Sequence, residues 1–270
     1  MSSNTKWQLS GSAAESYEEF LVPTIFVPWA QQLLSKSVPQ YGDNILDVAC
    51  GTGIVARMAK ARVGTAGRVV GVDLNTSMLD VAKTLDLHGA IEWLKADVGQ
   101  MPLRDEVFDT AYCQQGLQFF PDKIGALREV LRLLRCGGKC SIVVAQSLSQ
   151  NPLMRSQVTA LEKHIDEAAA GSIRAVCGLS EGDEIQTLFE GAGFAEVNWD
   201  TIDLTLTCDD GRAFITNGIM STPVAGIISN WSEEARNTLV DEILSELGDY
   251  YNGRALTFPH VASIVTGTKR

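Results

Sequence analysis

The arrangement in this chain best suited to chemistry is an aspartate followed by a short loop of small residues and glycines. In Ile45-Leu46-Asp47-Val48-Ala49-Cys50-Gly51-Thr52-Gly53 an apolar run carries Asp47, and Gly53 opens a helical pattern. Small residues and glycines let a ligand approach the backbone closely, and free N–H groups at a helix start can hold an anionic group. Asp47 reads either as part of a ligand site or as an acceptor for the loop's own N–H groups. Cys50 is a small residue in a tight loop and is assigned no redox role. A second apolar run, Val69-Val70-Gly71-Val72, ends in Asp73. A carboxylate at that distance from a glycine loop can accept both hydroxyls of a ribose. A third acid, Asp97 in Lys95-Ala96-Asp97-Val98, can accept from an adenine amino group or cap its own turn. Loop and acid together also describe a nicotinamide-binding fold. Against that stands Ala56, which takes the place of the third glycine of GxGxxG, and Asp47 has no part in that fingerprint.

Candidates for proton transfer are few. Gln115 and Gln118 follow the fourth apolar run on the expected substrate side, but amides take no proton. Of the three histidines, His88 falls near a helix end. His164 and His260 can line a pocket or serve as solvated or core residues. Tyr17 is a further pocket candidate from the N-terminal helical region.

These residues must be held by alternating elements. Strands are expected at Ile45–Ala49, Arg68–Asp73, Ile91–Ala96, Phe108–Cys113 and Lys139–Ala145, with helices at Gly53–Val63, Thr76–Leu87 and Pro121–Leu134 between them. Gly137-Gly138 reads as the C-cap that ends the last of these helices. Such alternation means βαβ units, a parallel sheet and a ligand beyond the carboxyl ends of the strands. Residues 13–37 look helical, interrupted by Pro23 and Pro28. Asn151–Ala170 reads as one helix and Glu181–Gly191 as another, with Ser180 and Asp183 placed as a capping box. Ala195–Thr207 changes hydrophobic phase, which suggests a bulge near Asp200–Thr201. A largely helical stretch, 209–252, contains a helix N-capped by Ser232, and His260–Thr268 closes the chain as a strand.

The chain has 270 residues, 45% of them hydrophobic and 20% charged, enough for one large domain with a full core. A net charge of -11 argues against nucleic acid and anionic lipid as partners. Met1-Ser2-Ser3-Asn4-Thr5-Lys6 begins a polar stretch without the apolar core of a signal peptide, and no apolar run reaches membrane-spanning length. Six cysteines without CxxC spacing or a matching Cys/His set read as reduced thiols in a cytoplasmic protein rather than as a zinc site. No metal is expected.

The segments ILDVACGTG, VVGVDLNTSML, ADVGQMPL, FDTAYCQQGLQFFPD and LLRCGGKCSIV, in that order, resemble class I S-adenosylmethionine-dependent methyltransferases. The group that contains the ubiquinone/menaquinone-biosynthesis enzymes (methyltransferase type 11) is the nearest in pattern. The resemblance runs from about Tyr41 to Val144 and is weaker elsewhere. It implies an α/β fold, a doubly wound seven-stranded Rossmann-like sheet in the order 3-2-1-4-5-7-6, with the last strand antiparallel and a helical cap. The implied division is an N-terminal cap segment at 1–40, a cofactor-binding core at 41–208 and 253–270, and a helical insertion or substrate lid at 209–252. Asp47, Ala49, Cys50, Gly51 and Gly53 match the positions that hold the amino-acid end of the cofactor, and Asp73 the ribose acid. Leu74 and Met78 would pack on the adenine, Asp97 would meet its amino group, and Val98 would offer a backbone N–H. Gln114 would contact the methionine ammonium through its carbonyl. Related enzymes often carry histidine near Leu117–Phe119; this chain has Gln118-Phe119, which weakens the case for histidine activation of an oxygen nucleophile. The implied function is S-adenosylmethionine-dependent methyl transfer, with S-adenosylhomocysteine as product, to a small and fairly apolar acceptor through O, N or C. Two alternatives stay open: cofactor binding without transfer, and a nicotinamide-dependent oxidoreductase. Homodimerisation is also open.

Overall fold

The computed structural model describes residues 13–270. Residues 1–12, and with them the polar N-terminal stretch and part of the expected 1–40 segment, lie outside the described residues. The chain enters through α1 (Ala13–Ser16), a π-helical segment (Tyr17–Phe26) and α2 (Val27–Lys36). The alternating core follows: β1 (Asn44–Val48), α3 (Ile54–Val63), β2 (Arg68–Asp73), α4 (Thr76–Leu85), β3 (Glu92–Lys95), β4 (Phe108–Gln114), α5 (Lys123–Leu133) and β5 (Leu134–Ala145). Then come α6 (Pro152–His164), α7 (Glu167–Arg174), α8 (Gly182–Ala192) and β6 (Ala195–Cys208). Three helices, α9 (Gly211–Met220), α10 (Ala225–Ile228) and α11 (Glu233–Leu247), separate β6 from β7 (Leu256–Thr268).

The seven strands form one sheet in the order β3-β2-β1-β4-β5-β7-β6. β1 to β5 are parallel, and β7 runs antiparallel to both β5 and β6, as the family resemblance implies. The inner strands are apolar on both faces, as a sheet covered on both sides requires. Their side chains alternate between two cores. Leu46, Val70, Phe108 and Ile142 pack with Leu127 of α5 and Phe189 of α8. Ile45, Val69, Tyr112 and Val143 pack on the opposite side with Trp29, Leu33, Val55, Leu153 and Phe214. That second face carries the helices that surround the site. Among the described residues no helix is long and apolar enough to cross a membrane.

Five local expectations are corrected. Pro23 does not interrupt the N-terminal helix. It sits inside the π-helical segment, where Val27 N–H bonds the Val22 carbonyl, and Pro28 falls in the first turn of α2, where no intrahelical N–H is needed. Gly137-Gly138 is not a helix cap: α5 ends at Leu133, and both glycines lie within β5, where the pairing with β4 shifts register after Phe108–Leu134. Gly137 has φ +79 and its N–H donates to the Lys269 carbonyl, a bulge conformation that glycine adopts freely. The helix expected over Asn151–Ala170 is two helices, because Asp166 turns extended and accepts the N–H of Ala169 to start α7. The β6 bulge lies between Ala195 and Asn198, with Glu196 at φ +51, rather than near Asp200–Thr201. Ser180 and Asp183 form no capping box; Glu181 is the N-cap of α8 and makes no side-chain cap bond. Ser232 does cap α11, accepting the Ala235 N–H at 3.2 Å.

Candidate active site

The carboxyl ends of β1, β2, β3 and β4 open into one cavity of about 380 Å³, within the usual size range of ligand sites. Ala49, Gly51, Asp73, Leu74, Met78, Asp97, Val98 and Gln114 all line it. Eight of the eleven residues matched to the cofactor motifs thus come together, although they are spread from β1 to β4. Gly51 has φ +55, and a Cβ there would meet no atom within 4 Å, so its backbone faces open space.

Asp73 clamps the wall. Its two oxygens accept the N–H groups of Gly51 and Asn75, each at 2.8 Å, so it ties the β1–α3 loop to the β2–α4 turn. Burial raises its pKa above the usual carboxylate value, opposed by those N–H bonds. Asp97 lines the cavity and also accepts the Gly99 N–H at 2.8 Å; it serves its own turn as well as the wall.

Asp47, Cys50 and Gly53 do not line the cavity. Asp47 is buried behind the loop and accepts the Ala56 N–H of α3 at 2.8 Å. Burial pushes its pKa up to about 8; the Ala56 N–H bond opposes the shift and Asp73 adds to it. Cys50 is buried, and its N–H holds the Val72 carbonyl at 3.0 Å. Gly53 has φ +85, and a Cβ there would lie 2.2 Å from the Trp93 ring. Its glycine is required by packing against β3.

Three amides lie next to one another at the end of β4. Gln114 Nε2 donates to the Phe26 carbonyl at 2.9 Å, which leaves its buried Oε1 unpaired. Gln115, at φ +55, accepts through Oε1 from both Gln118 Nε2 and the Ala145 N–H. Gln115 Nε2 and Gln118 Oε1 are then buried without a partner. Unmet donors and acceptors of this kind call for a ligand or water.

Beyond them the wall turns apolar: Ile25, Phe26, Leu153, Met154, Ile173, Val176 and Phe214. Tyr17 and His260 also line the cavity. Tyr17 packs tilted against Phe26 with ring centroids 4.8 Å apart. Burial, with the charges of Glu18, Asp73 and Asp47, raises its pKa far above the ordinary phenol value. His260 is 2% exposed and accepts the Trp29 indole N–H on Nδ1 at 3.0 Å. Burial lowers its pKa to about 4. His164 lies outside the cavity, 3.8 Å from Glu242 of α11.

Gln157, Thr222 and Asn75 also line the cavity and were not foreseen. Gln157 had a signal: it stands on the same face of α6 as Leu153 and Met154, a lone polar residue in an apolar stripe. Thr222 had none, because its place depends on how α9 docks. No group of three or more metal-ligating side chains occurs among the described residues.

This sheet order, with acids at the ends of its first strands and a cavity across their carboxyl ends, defines a Rossmann-like protein of the methyltransferase architecture. Residues 46–142 match the family model described as a methyltransferase domain. The chain is 28% identical over 182 residues to the chloroplastic 2-phytyl-1,4-beta-naphthoquinone methyltransferase of Arabidopsis thaliana, covering 62% of this chain and 70% of that protein. It is 37% identical over 130 residues to the ubiquinone/menaquinone biosynthesis C-methyltransferase UbiE of Francisella tularensis, covering 47% of this chain and 52% of that one. The chain thus spans about half the length of the UbiE relatives it matches. A phosphoethanolamine N-methyltransferase of Haemonchus contortus, solved with phosphomonomethylethanolamine and S-adenosylhomocysteine, superposes with a TM-score of 0.61 at 19% identity, over 95% of this chain and 56% of that one; the likeness is one of fold. Together with the sheet order, the matched domain and these relatives support a class I S-adenosylmethionine-dependent methyltransferase.

Proposed function

We propose that this chain transfers the methyl group of S-adenosylmethionine to a small, fairly apolar acceptor bound in the same cavity. The observation that carries the reading is the cavity's two-sided wall. One side offers the open backbone of Gly51, the carboxylate of Asp73 and the unpaired Gln114 Oε1, and the other side is apolar. Among the described residues no Lys or Arg lines either side. Those groups fit a ligand that carries a diol, an ammonium and a cationic sulfur.

Asp73 would accept the ribose hydroxyls, since each of its oxygens keeps a lone pair beyond the N–H bond it already makes. Leu74 and Met78 would hold the adenine ring, with Asp97 and the Val98 N–H at its edge. Gln114 would receive the ammonium. Ala49 and Gly51 would pass close along the amino-acid end. Asp47 and Gly53 would act from behind, shaping the loop, and Cys50 would join it to β2. The bound cofactor supplies a methyl group on a sulfonium, a good leaving group.

The chain's own part is orientation and exclusion of water. On the acceptor side no lining group among the described residues takes a proton near neutral pH: Tyr17 stays a phenol, His260 stays unprotonated at Nδ1 and bonded there, and Gln115 and Gln118 are amides. The acceptor therefore arrives as a nucleophile that needs no deprotonation by this wall. Residues 209–230 we take as a substrate lid, because Phe214, Gly218 and Thr222 contribute to the acceptor side. Free thiols at all six cysteines suit a reducing compartment such as the cytoplasm.

A thermal-shift series with S-adenosylmethionine, S-adenosylhomocysteine, NAD and NADP tests the reading. A ligand at a hundred times its Kd stabilises by about 2.7 kcal/mol. The two sulfur ligands should raise Tm and the dinucleotides should not. Stabilisation by NAD alone would overturn it.

A further inference from the structure

We infer that His260 is a specificity-determining residue: its Nε2–H holds an acceptor oxygen on an uncharged ligand in the apolar half of the cavity. The inference rests on the acceptor-site reading above.

The proton's place on the ring follows from Trp29. An indole N–H can only donate, and it donates to Nδ1 of His260 at 3.0 Å. Nδ1 must therefore carry a lone pair. The ring is 2% exposed and neutral at physiological pH, so its one proton lies on Nε2. A neutral imidazole with Nδ1 already engaged is a hydrogen-bond donor and not a base. The Trp29 and His260 rings are 5.6 Å apart and 231 residues apart in sequence. They are brought together because α2, which carries Trp29, packs against β4 and β5, next to β7 in the sheet. His260 is held in the middle of β7, paired with Leu204 of β6, so the donor is mounted on the sheet rather than on a loop.

The surroundings define what the donor can meet. Ile25, Leu153, Ile173, Val176 and Phe214 supply an apolar wall, and Gln157 adds one further amide. The cavity's carboxylates, Asp73 and Asp97, stand at the ends of β2 and β3, on the far side of β1 and β4 from β7. Among the described residues a cationic acceptor finds no counter-ion beside His260, and an anionic one finds no Lys or Arg in the cavity wall. An apolar body with a carbonyl or ether oxygen satisfies both the wall and the donor. A site built to donate a hydrogen bond discriminates against the analogue that lacks the acceptor, because the buried donor is then left unpaired.

Two probes with one carbon frame isolate the oxygen: 1-tetralone, which has a single ketone, and tetralin, which has none. Binding is measured by NMR titration of the full chain with S-adenosylhomocysteine present. 1-Tetralone should bind about tenfold more tightly than tetralin, the value of one net hydrogen bond. Protonated 2-aminotetralin should bind more weakly than either. His260→Phe should abolish the preference for the ketone, while His260→Gln, which keeps an N–H donor, should restore part of it. Nitrogen-15 shifts of His260 should report an Nε2–H imidazole from pH 5.5 to pH 8. Equal binding of ketone and hydrocarbon by the wild type, a preference that survives in His260→Phe, or binding of neither probe would overturn the inference. The Tm rise with S-adenosylhomocysteine is read in the same samples, so failure of the cofactor reading shows separately.

Discussion

Replacing Asp73 with alanine separates the clamp from the ligand contact. In the free protein the carboxylate accepts two backbone N–H groups, from Gly51 and Asn75. Both donors lie at the cavity wall, where water can replace the lost acceptor. The substitution also removes a buried negative charge that raises the pKa of Asp47. The two effects oppose, so the loss of stability should be about 1–3 kcal/mol, well short of unfolding. The cofactor should suffer more. Two hydroxyls donating to one carboxylate make charge-assisted bonds worth about 1.5–3 kcal/mol each. At the low end, the pair amounts to about 3 kcal/mol, a loss of more than a hundredfold in affinity. Asp73→Asn keeps one acceptor but turns an amide N–H toward Gly51 or Asn75, and should fall between alanine and wild type. Calorimetric titration with S-adenosylhomocysteine gives the Kd, and urea denaturation gives the stability of the same samples. A folded Asp73→Ala variant with the wild-type Kd would remove this carboxylate from the site.

Gly51→Val should retain the fold, at a cost of about 1–2 kcal/mol for a left-handed valine, and lose S-adenosylhomocysteine binding by filling open space at the wall; a bound ligand in a crystal of this variant would contradict that. Gly53→Val should do the reverse, with a large drop in Tm as the side chain displaces Trp93, and no such drop would show that the ring moves freely. Amide exchange in 209–230 should be fast in the free protein and slow with S-adenosylhomocysteine and an acceptor analogue bound, whereas α11 should change less because Leu239, Ile243 and Leu247 are buried; equal protection in both states would make the segment a fixed cap. For His260 the folded pKa of about 4 lies below the unfolded value near 6.5. Above both values the group has no effect, and as pH falls through 6.5 the unfolded chain takes up a proton that the folded ring refuses. Stability should therefore drop by about 2 kcal/mol by pH 5 from this group alone. Asp47 acts in the opposite sense, with its folded pKa raised, and is common to both chains when wild type is compared with His260→Phe. The variant should lose less stability than wild type between pH 7 and pH 5, and parallel curves would mean that the imidazole is not buried neutral.

Much of this architecture can be read without coordinates because its causes are local. Apolar runs ending at Asp47 and Asp73, a loop of small residues, and a helical stripe before the fifth strand mark a βαβ series wherever they stand, and the family resemblance that the five motifs carry implies the sheet order. What stayed hidden depends on residues far apart in the chain. Nothing near Gly53 in the chain foretells that Trp93 fills its Cβ position, and nothing near Asp47 foretells which N–H it accepts, that of Ala56 in α3. Gly137-Gly138 reads as a cap because glycine suits any positive φ; only strand pairing with β4 and the bond to Lys269 turn it into a bulge. His260 shows the difference most clearly. Its identity is written in the sequence, but its charge and the position of its proton are set by burial and by an indole 231 residues away. Chain-local pattern decides which elements form; desolvation and hydrogen-bond partners, which exist only once those elements pack, decide what each side chain can do.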